Sequence, residues 1–168
     1  MNKQLVKQTW ALLLFIAFAS VQCSQNQKEE SKQIVETNLK TLVGDWKLEG
    51  IYRSQTQQLE GPPSGLEVNL KIDSVSLDNQ ANGTIKFNGK GPINHFFGKW
   101  NVENGQIQKG EKPVGATEMA GPPEAMNYEG DLFNLFINFD EIKIEGEKTT
   151  LKNQTSGDYL LFQKAEGK

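Results

Sequence analysis

From Leu66 to Asp73, apolar and polar residues alternate without a break: Leu66, Val68, Leu70 and Ile72 against Glu67, Asn69, Lys71 and Asp73. Successive side chains of a strand point to opposite faces, so this pattern buries one face only if the backbone is extended. The segment predicts a half-buried strand. Shorter alternations recur at 46–52, 84–87, 93–102, 141–144, 149–151 and 159–162. Asn82-Gly83, Asn88-Gly89, Asn104-Gly105, Gly146 and Ser156-Gly157 lie between them, residues that tolerate the positive φ of tight hairpins. Short strands joined by such turns predict a mainly β, antiparallel meander of about seven or eight strands.

One stretch departs from this rhythm. Pro122 and Pro123 precede Glu124, and Ala125, Tyr128, Leu132, Phe133 and Phe136 recur at helical spacing. Proline and an acid favour a helix start, so one amphipathic helix is expected over about 122–136. No internal repeat is visible.

The N-terminal end has a different character. Lys3 and Lys7 precede an apolar run from Trp10 to Ala19, then small residues and Cys23, the only cysteine. This is the layout of a secretory signal peptide, here residues 1–22. Its apolar run is 10 residues, half the roughly 20 that a bilayer-spanning helix needs. Ala19-Ser20-Val21-Gln22-Cys23 resembles a bacterial lipoprotein signal, in which the cysteine becomes the acylated N-terminus, although Ser20 and Gln22 replace the commoner residues. The competing reading is a free thiol beside a cleavage site elsewhere. An odd cysteine in an exported protein risks intermolecular pairing, which favours lipidation. Residues 23–40 are polar, with Ile34, Val35 and Leu39 the main apolar side chains, and read as a lipidated flexible tether. Within it Lys28-Glu29-Glu30 resembles a lipoprotein surface-sorting signal, or is a solvated charge cluster. The folded part is expected over 41–165.

Without residues 1–22, 16 Lys and Arg stand against 21 Asp and Glu, and no basic run is present. That balance speaks against nucleic acid as a partner and assigns membrane attachment to lipid rather than charge.

Four blocks carry a resemblance. Leu42-Val43-Gly44-Asp45-Trp46 comes first, followed by Asn94-His95-Phe96-Phe97-Gly98-Lys99-Trp100. Ala116-Thr117-Glu118-Met119-Ala120 comes next, ahead of Met126 and Glu129, and Leu151 with Tyr159 to Phe162 closes the series. In this order they resemble the META domain family, which includes a bacterial heat-shock protein. The resemblance implies a lipocalin-like antiparallel barrel with a helix set across it. It also marks Trp46, Asn94, Phe96, Gly98, Trp100, Thr117, Met119, Met126 and Glu129 as family-motif positions with structural roles. The family often carries cysteines at the places held here by Ile93 and Gly121. Both being absent fits the loss of a disulfide as a unit.

Residues suited to catalysis are few. His95 is the only histidine and has no cysteine or spaced carboxylate beside it, so a surface role is expected rather than a general base. Asp140-Glu141 and Glu129 with Asp131 are the acid pairs that glycoside chemistry would need, but neighbours on a strand diverge. Glu129 is instead expected to cap or hydrogen-bond a barrel element. Trp46, Phe87, Phe96, Phe97, Trp100, Phe133, Phe136, Phe139 and Phe162 are expected to fill the barrel rather than line a ligand cavity. No enzyme activity, cofactor or metal is expected. The expectation is a monomeric envelope protein, lipid-anchored to the outer membrane on its periplasmic or surface side, with a stress-linked or maintenance role. Its rivals are a carrier of a small apolar ligand and a binding module or inhibitor for another envelope protein.

Overall fold

A computed structural model describes residues 39–79, 81–108 and 114–166. Cys23, the signal peptide and most of the tether lie outside the described residues.

The strands are β1 (Gly44–Arg53), β2 (Gln58–Glu60), β3 (Asn69–Leu77), β4 (Gly83–Lys90), β5 (His95–Glu103), β6 (Gln106–Ile107), β7 (Val114–Ala116), β8 (Glu141–Glu145), β9 (Lys148–Lys152) and β10 (Tyr159–Lys164). Helix α1 (Pro123–Asn138) stands between β7 and β8. Pairing is antiparallel throughout, in the order β6-β5-β4-β3-β1-β10-β9-β8, with β2 on β1 and β7 on β5. Strands β6 and β8 approach each other, so the eight-strand sheet is nearly closed into a barrel.

The alternation read from the sequence decides which face turns inward. Val68, Leu70 and Ile72 are buried while Glu67, Asn69, Lys71 and Asp73 are exposed. The ladder itself begins only at Asn69, and Val68 contributes its carbonyl to the Leu48 N–H at 2.9 Å. In β1 the inward positions run Trp46, Leu48 and then Ile51, because a bulge between Leu48 and Gly50 shifts the register against β10. A Cβ on Gly50 would lie 2.6 Å from the Glu60 carbonyl oxygen, so glycine lets β2 cross close over β1.

Helix α1 starts with Pro123 at its first turn and Glu124 just after, and buries Ala125, Glu129, Leu132, Leu135 and Phe136. It runs two residues beyond the expected end. Phe136 stands at the centre of the core, with ring centroids 5.1 Å from Phe87, 5.3 Å from Phe96 and 5.2 Å from Trp100. Each isolated sheet face would expose this apolar layer to water; the helix and the sheet's curvature cover it together.

Several expectations need correction. Asn88-Gly89 is not a turn but the end of β4; the reversal into β5 is at Gly91–Asn94, where the Gly91 N–H donates to the Asn94 carbonyl at 2.7 Å. Gly89 is glycine for a packing reason, since a Cβ there would run into the Phe96 ring and the Asn69 carbonyl. Asn104-Gly105 is a true turn, with φ of 51° and 77°, as a type I′ hairpin needs. The short strands β2, β6 and β7 were not foreseen, and β5 begins at His95 rather than Ile93. Leu39, assigned to the tether, is buried in the core cluster, so the folded part begins before residue 41. Phe97 points outward at 59% exposure and does not fill the interior.

Candidate functional site

The densest polar network joins the β4–β5 turn, the segment between β7 and α1, and the helix. Glu129 projects from the second turn of α1 and is 5% exposed. Its Oε1 accepts the backbone N–H groups of Ile93 at 3.0 Å and Asn94 at 2.8 Å, and its Oε2 accepts Asn94 Nδ2 at 2.6 Å. A Cβ on Gly91 would lie 2.5 Å from Oε1, so this glycine makes room for the carboxylate. Asn94 is itself nearly saturated. Its Oδ1 accepts the Thr117 hydroxyl at 2.9 Å and the Met119 N–H at 2.8 Å. Thr117 Oγ1 in turn accepts the His95 N–H at 3.1 Å, and the Thr117 N–H donates to the His95 carbonyl at 3.0 Å.

Every partner of Glu129 is a donor, the arrangement that an acceptor-only carboxylate satisfies. The network therefore closes on itself: a buried acid binds the turn that launches β5, and the asparagine of that turn binds the segment leading into the helix. Of the family-motif residues, Asn94, Thr117, Met119 and Glu129 come together here. Trp46, Phe96 and Trp100 are buried in the barrel, and Trp46 Nε1 donates to the Leu42 carbonyl at 2.7 Å. Gly98 pairs with Phe87 on one side and Val114 on the other. The Met119 and Met126 side chains do not join the core; they are 49% and 48% exposed.

The remaining chemical candidates are dispersed. His95 is exposed on β5. Asp140 Oδ1 accepts the Gln154 N–H at 3.0 Å and Glu141 Oε2 accepts Gln154 Nε2 at 3.3 Å, both tying down the β9–β10 loop. Asp131 pairs with Arg53, whose Nε also donates to Glu60 at 3.2 Å. Burial works against the Arg53 charge, but Glu60 and Asp131 outweigh it and raise the guanidinium pKa. Burial pushes the Tyr128 hydroxyl well above its ordinary range, and this hydroxyl donates to the Glu60 carbonyl at 3.2 Å. Among the described residues no three His, Cys, Asp or Glu side chains gather as a metal site would require.

The barrel interior is filled. Among the described residues, the void bounded by Leu42, Trp46, Leu70, Ile72, Trp100, Thr149, Leu151 and Phe162 amounts to about 10 Å³, the space of one water molecule. The larger hollows, of 850, 670 and 620 Å³, are grooves between loops and strand edges.

Ile93 and Gly121, the two positions where the family often has cysteine, are in contact. A Cβ on Gly121 would lie 2.5 Å from Ile93 Cδ1 and 2.9 Å from its Cγ1. An isoleucine lying over a glycine occupies the space that a disulfide would.

The fold and its polar clasp define a nearly closed antiparallel barrel sealed by a single helix. More specifically, the chain belongs to the META domain family, whose model matches residues 38–167. It is also similar to a protein from Burkholderia xenovorans solved by NMR, with 19% identity over 79% of this chain and 89% of that one and a TM-score of 0.58. A likeness at that identity is one of fold. A DUF4847 family protein from Bacteroides vulgatus, known from a crystal structure, is 12% identical over 76% of this chain and 96% of that one, with a TM-score of 0.47. No curated protein matches the chain.

Proposed function

We propose that this chain is a non-enzymatic, lipid-anchored protein of the bacterial cell envelope, in which Cys23 carries the lipid and the META barrel acts as a rigid recognition module in envelope maintenance under stress. The observation that carries the reading is the closure of the domain. Its interior void of about 10 Å³ is too small for an organic ligand, and Glu129, the buried acid among the described residues, is consumed by Asn94 and the β4–β5 turn. Such a domain works through its surface. The filled core also weighs against the carrier alternative.

The test is to label cells with a palmitate analogue and to challenge a deletion strain with heat, detergents and antibiotics. Label on the wild-type chain and none on Cys23→Ala supports the anchor. Sensitivity confined to envelope stress, rescued by wild type and by His95→Ala or Asp140→Asn but not by Cys23→Ala, supports the role. Loss of rescue by folded His95→Ala would return the reading to enzymology.

A further inference from the structure

Though the sequence holds no basic run, the sheet builds a basic face. Outward residues in register across β3, β4 and β5 place Lys86 directly opposite Lys99, Lys90 opposite His95, and Lys71 opposite Asn88, which in turn faces Phe97. All four lysines and Phe97 are exposed. None of these lysines takes part in an ion pair among the described residues, whereas Lys47, Arg53, Lys143 and Lys148 all do. The acids nearest the face are Asp73, whose carboxylate accepts Asn88 Nδ2 at 2.7 Å, Asp45, directly opposite Lys71, and Glu67, which lies within electrostatic reach of Lys90 but is held by Lys47. Like charges directly opposite each other on a sheet oppose folding. In a chain with 21 acidic residues to choose from, nothing in the fold explains the Lys86–Lys99 pair.

Phe97 adds a second, independent feature. Its ring lies over Gly115, where a Cβ would come within 2.8 Å of it, and at 59% exposure it is the most exposed large hydrophobic side chain among the described residues. An apolar dent of about 430 Å³ runs beside it between Lys86, Lys99, Val114 and Gly115. A raised aromatic ring flanked by unpaired lysines suits a surface that is anionic outside and apolar just beneath. Phenyl rings enter such a boundary while lysines stay at the level of the headgroups.

We propose that the outer face of β3–β5 docks on an anionic phospholipid surface, with Phe97 inserted and Lys71, Lys86, Lys90 and Lys99 on the headgroups. This occupant is argued from charge complementarity and from reach. A lipid on Cys23, which belongs to the preceding reading, would leave 16 residues to Leu39, at most about 55 Å of extended chain. That length lets a domain some tens of ångströms across turn this face to the bilayer. The anchor would supply proximity and the lysines orientation.

The experiment uses the mature chain purified from membranes, carrying Phe97→Trp, in vesicles with brominated acyl chains. Trp46 and Trp100 are buried at 2% and 0% exposure, so quenching reports residue 97. Strong quenching is expected in phosphatidylglycerol vesicles and little in phosphatidylcholine alone. With chain added from solution, Lys86→Gln and Lys99→Gln should each weaken binding about fivefold at low salt. Absence of quenching in anionic vesicles overturns the proposal, as does equal quenching in both. An unchanged unfolding midpoint shows that each variant is folded. Mass analysis of Cys23 separates the two readings: quenching without acylation sinks only the anchor, and acylation without quenching sinks only the docking face.

Discussion

Glu129 and Asn94 meet through a 2.6 Å hydrogen bond at the mouth of the barrel, the acid from the helix and the amide from the turn into β5. Because Glu129 also accepts two backbone N–H groups, its removal strands three donors. Glu129→Ala should cost about 3 kcal/mol in urea unfolding, and Glu129→Gln somewhat less. In the amide variant one donor faces another, Asn94 Nδ2. Adding Asn94→Asp reverses that polarity and keeps an oxygen for Thr117 and Met119, so the double variant should recover about 1–2 kcal/mol relative to additivity. Strict additivity would mean that the two side chains are not coupled.

How far this was legible depended on range. The alternation at 66–73 and the helical spacing at 125–136 encode which faces are buried, because those faces depend on neighbours along the chain. Glu129 stood out because it falls at a family-matching position near the apolar stripe, but its partners Ile93 and Asn94 are more than 30 residues away, beyond any local pattern. The same limit hid the basic face: Lys86 and Lys99 become neighbours only through the β4–β5 register. Asn88-Gly89 misled for the opposite reason. It has the local chemistry of a turn, but packing under the Phe96 ring requires that glycine inside a strand.

Phe136 and Phe97 provide opposite tests of the filled barrel. Phe136→Ala removes a ring that touches Phe87, Phe96, Trp100 and Phe139, and should destabilise by about 3–5 kcal/mol. Phe97→Ala should stay within about 0.5 kcal/mol of wild type. Chemical unfolding of the two variants side by side measures both, and a cost at 97 comparable with that at 136 would contradict the outward placement of Phe97.

The Thr149 hydroxyl is buried beside the interior void and has no hydrogen-bond partner. A hydroxyl in that position costs desolvation without return. Thr149→Val should therefore hold stability or raise it by about 1 kcal/mol, read as the thermal midpoint. A clear drop would reveal a partner for Oγ1.

Tyr128 gives the domain an alkaline limit. Its folded pKa is raised above the ordinary value of 10 by burial, so its contribution is complete below about pH 10 and is lost as pH rises through the folded pKa, while the unfolded chain releases its proton. Unfolding free energy should fall with pH above about 10, and less steeply in Tyr128→Phe. Identical slopes for the two proteins would remove Tyr128 from the cause.

The contact between Ile93 and Gly121 permits a constructive test of whether a crosslink fits there. With residue 121's Cβ position 2.9 Å from Ile93 Cγ1, the Cβ of residue 93, one bond further, is no more than about 4.4 Å away, inside the roughly 3.5–4.5 Å that a disulfide spans. Ile93→Cys with Gly121→Cys should oxidise spontaneously in air-saturated buffer. The bond would close a loop of nearly 30 residues and add about 3.6 kcal/mol by the chain-entropy estimate. Non-reducing electrophoresis and thermal melts with and without reductant measure both effects. The gain should appear only in the oxidised form, because the reduced pair also removes the isoleucine that packs over Gly121. Free thiols persisting under oxidising conditions would show that the two positions do not approach as the contact requires.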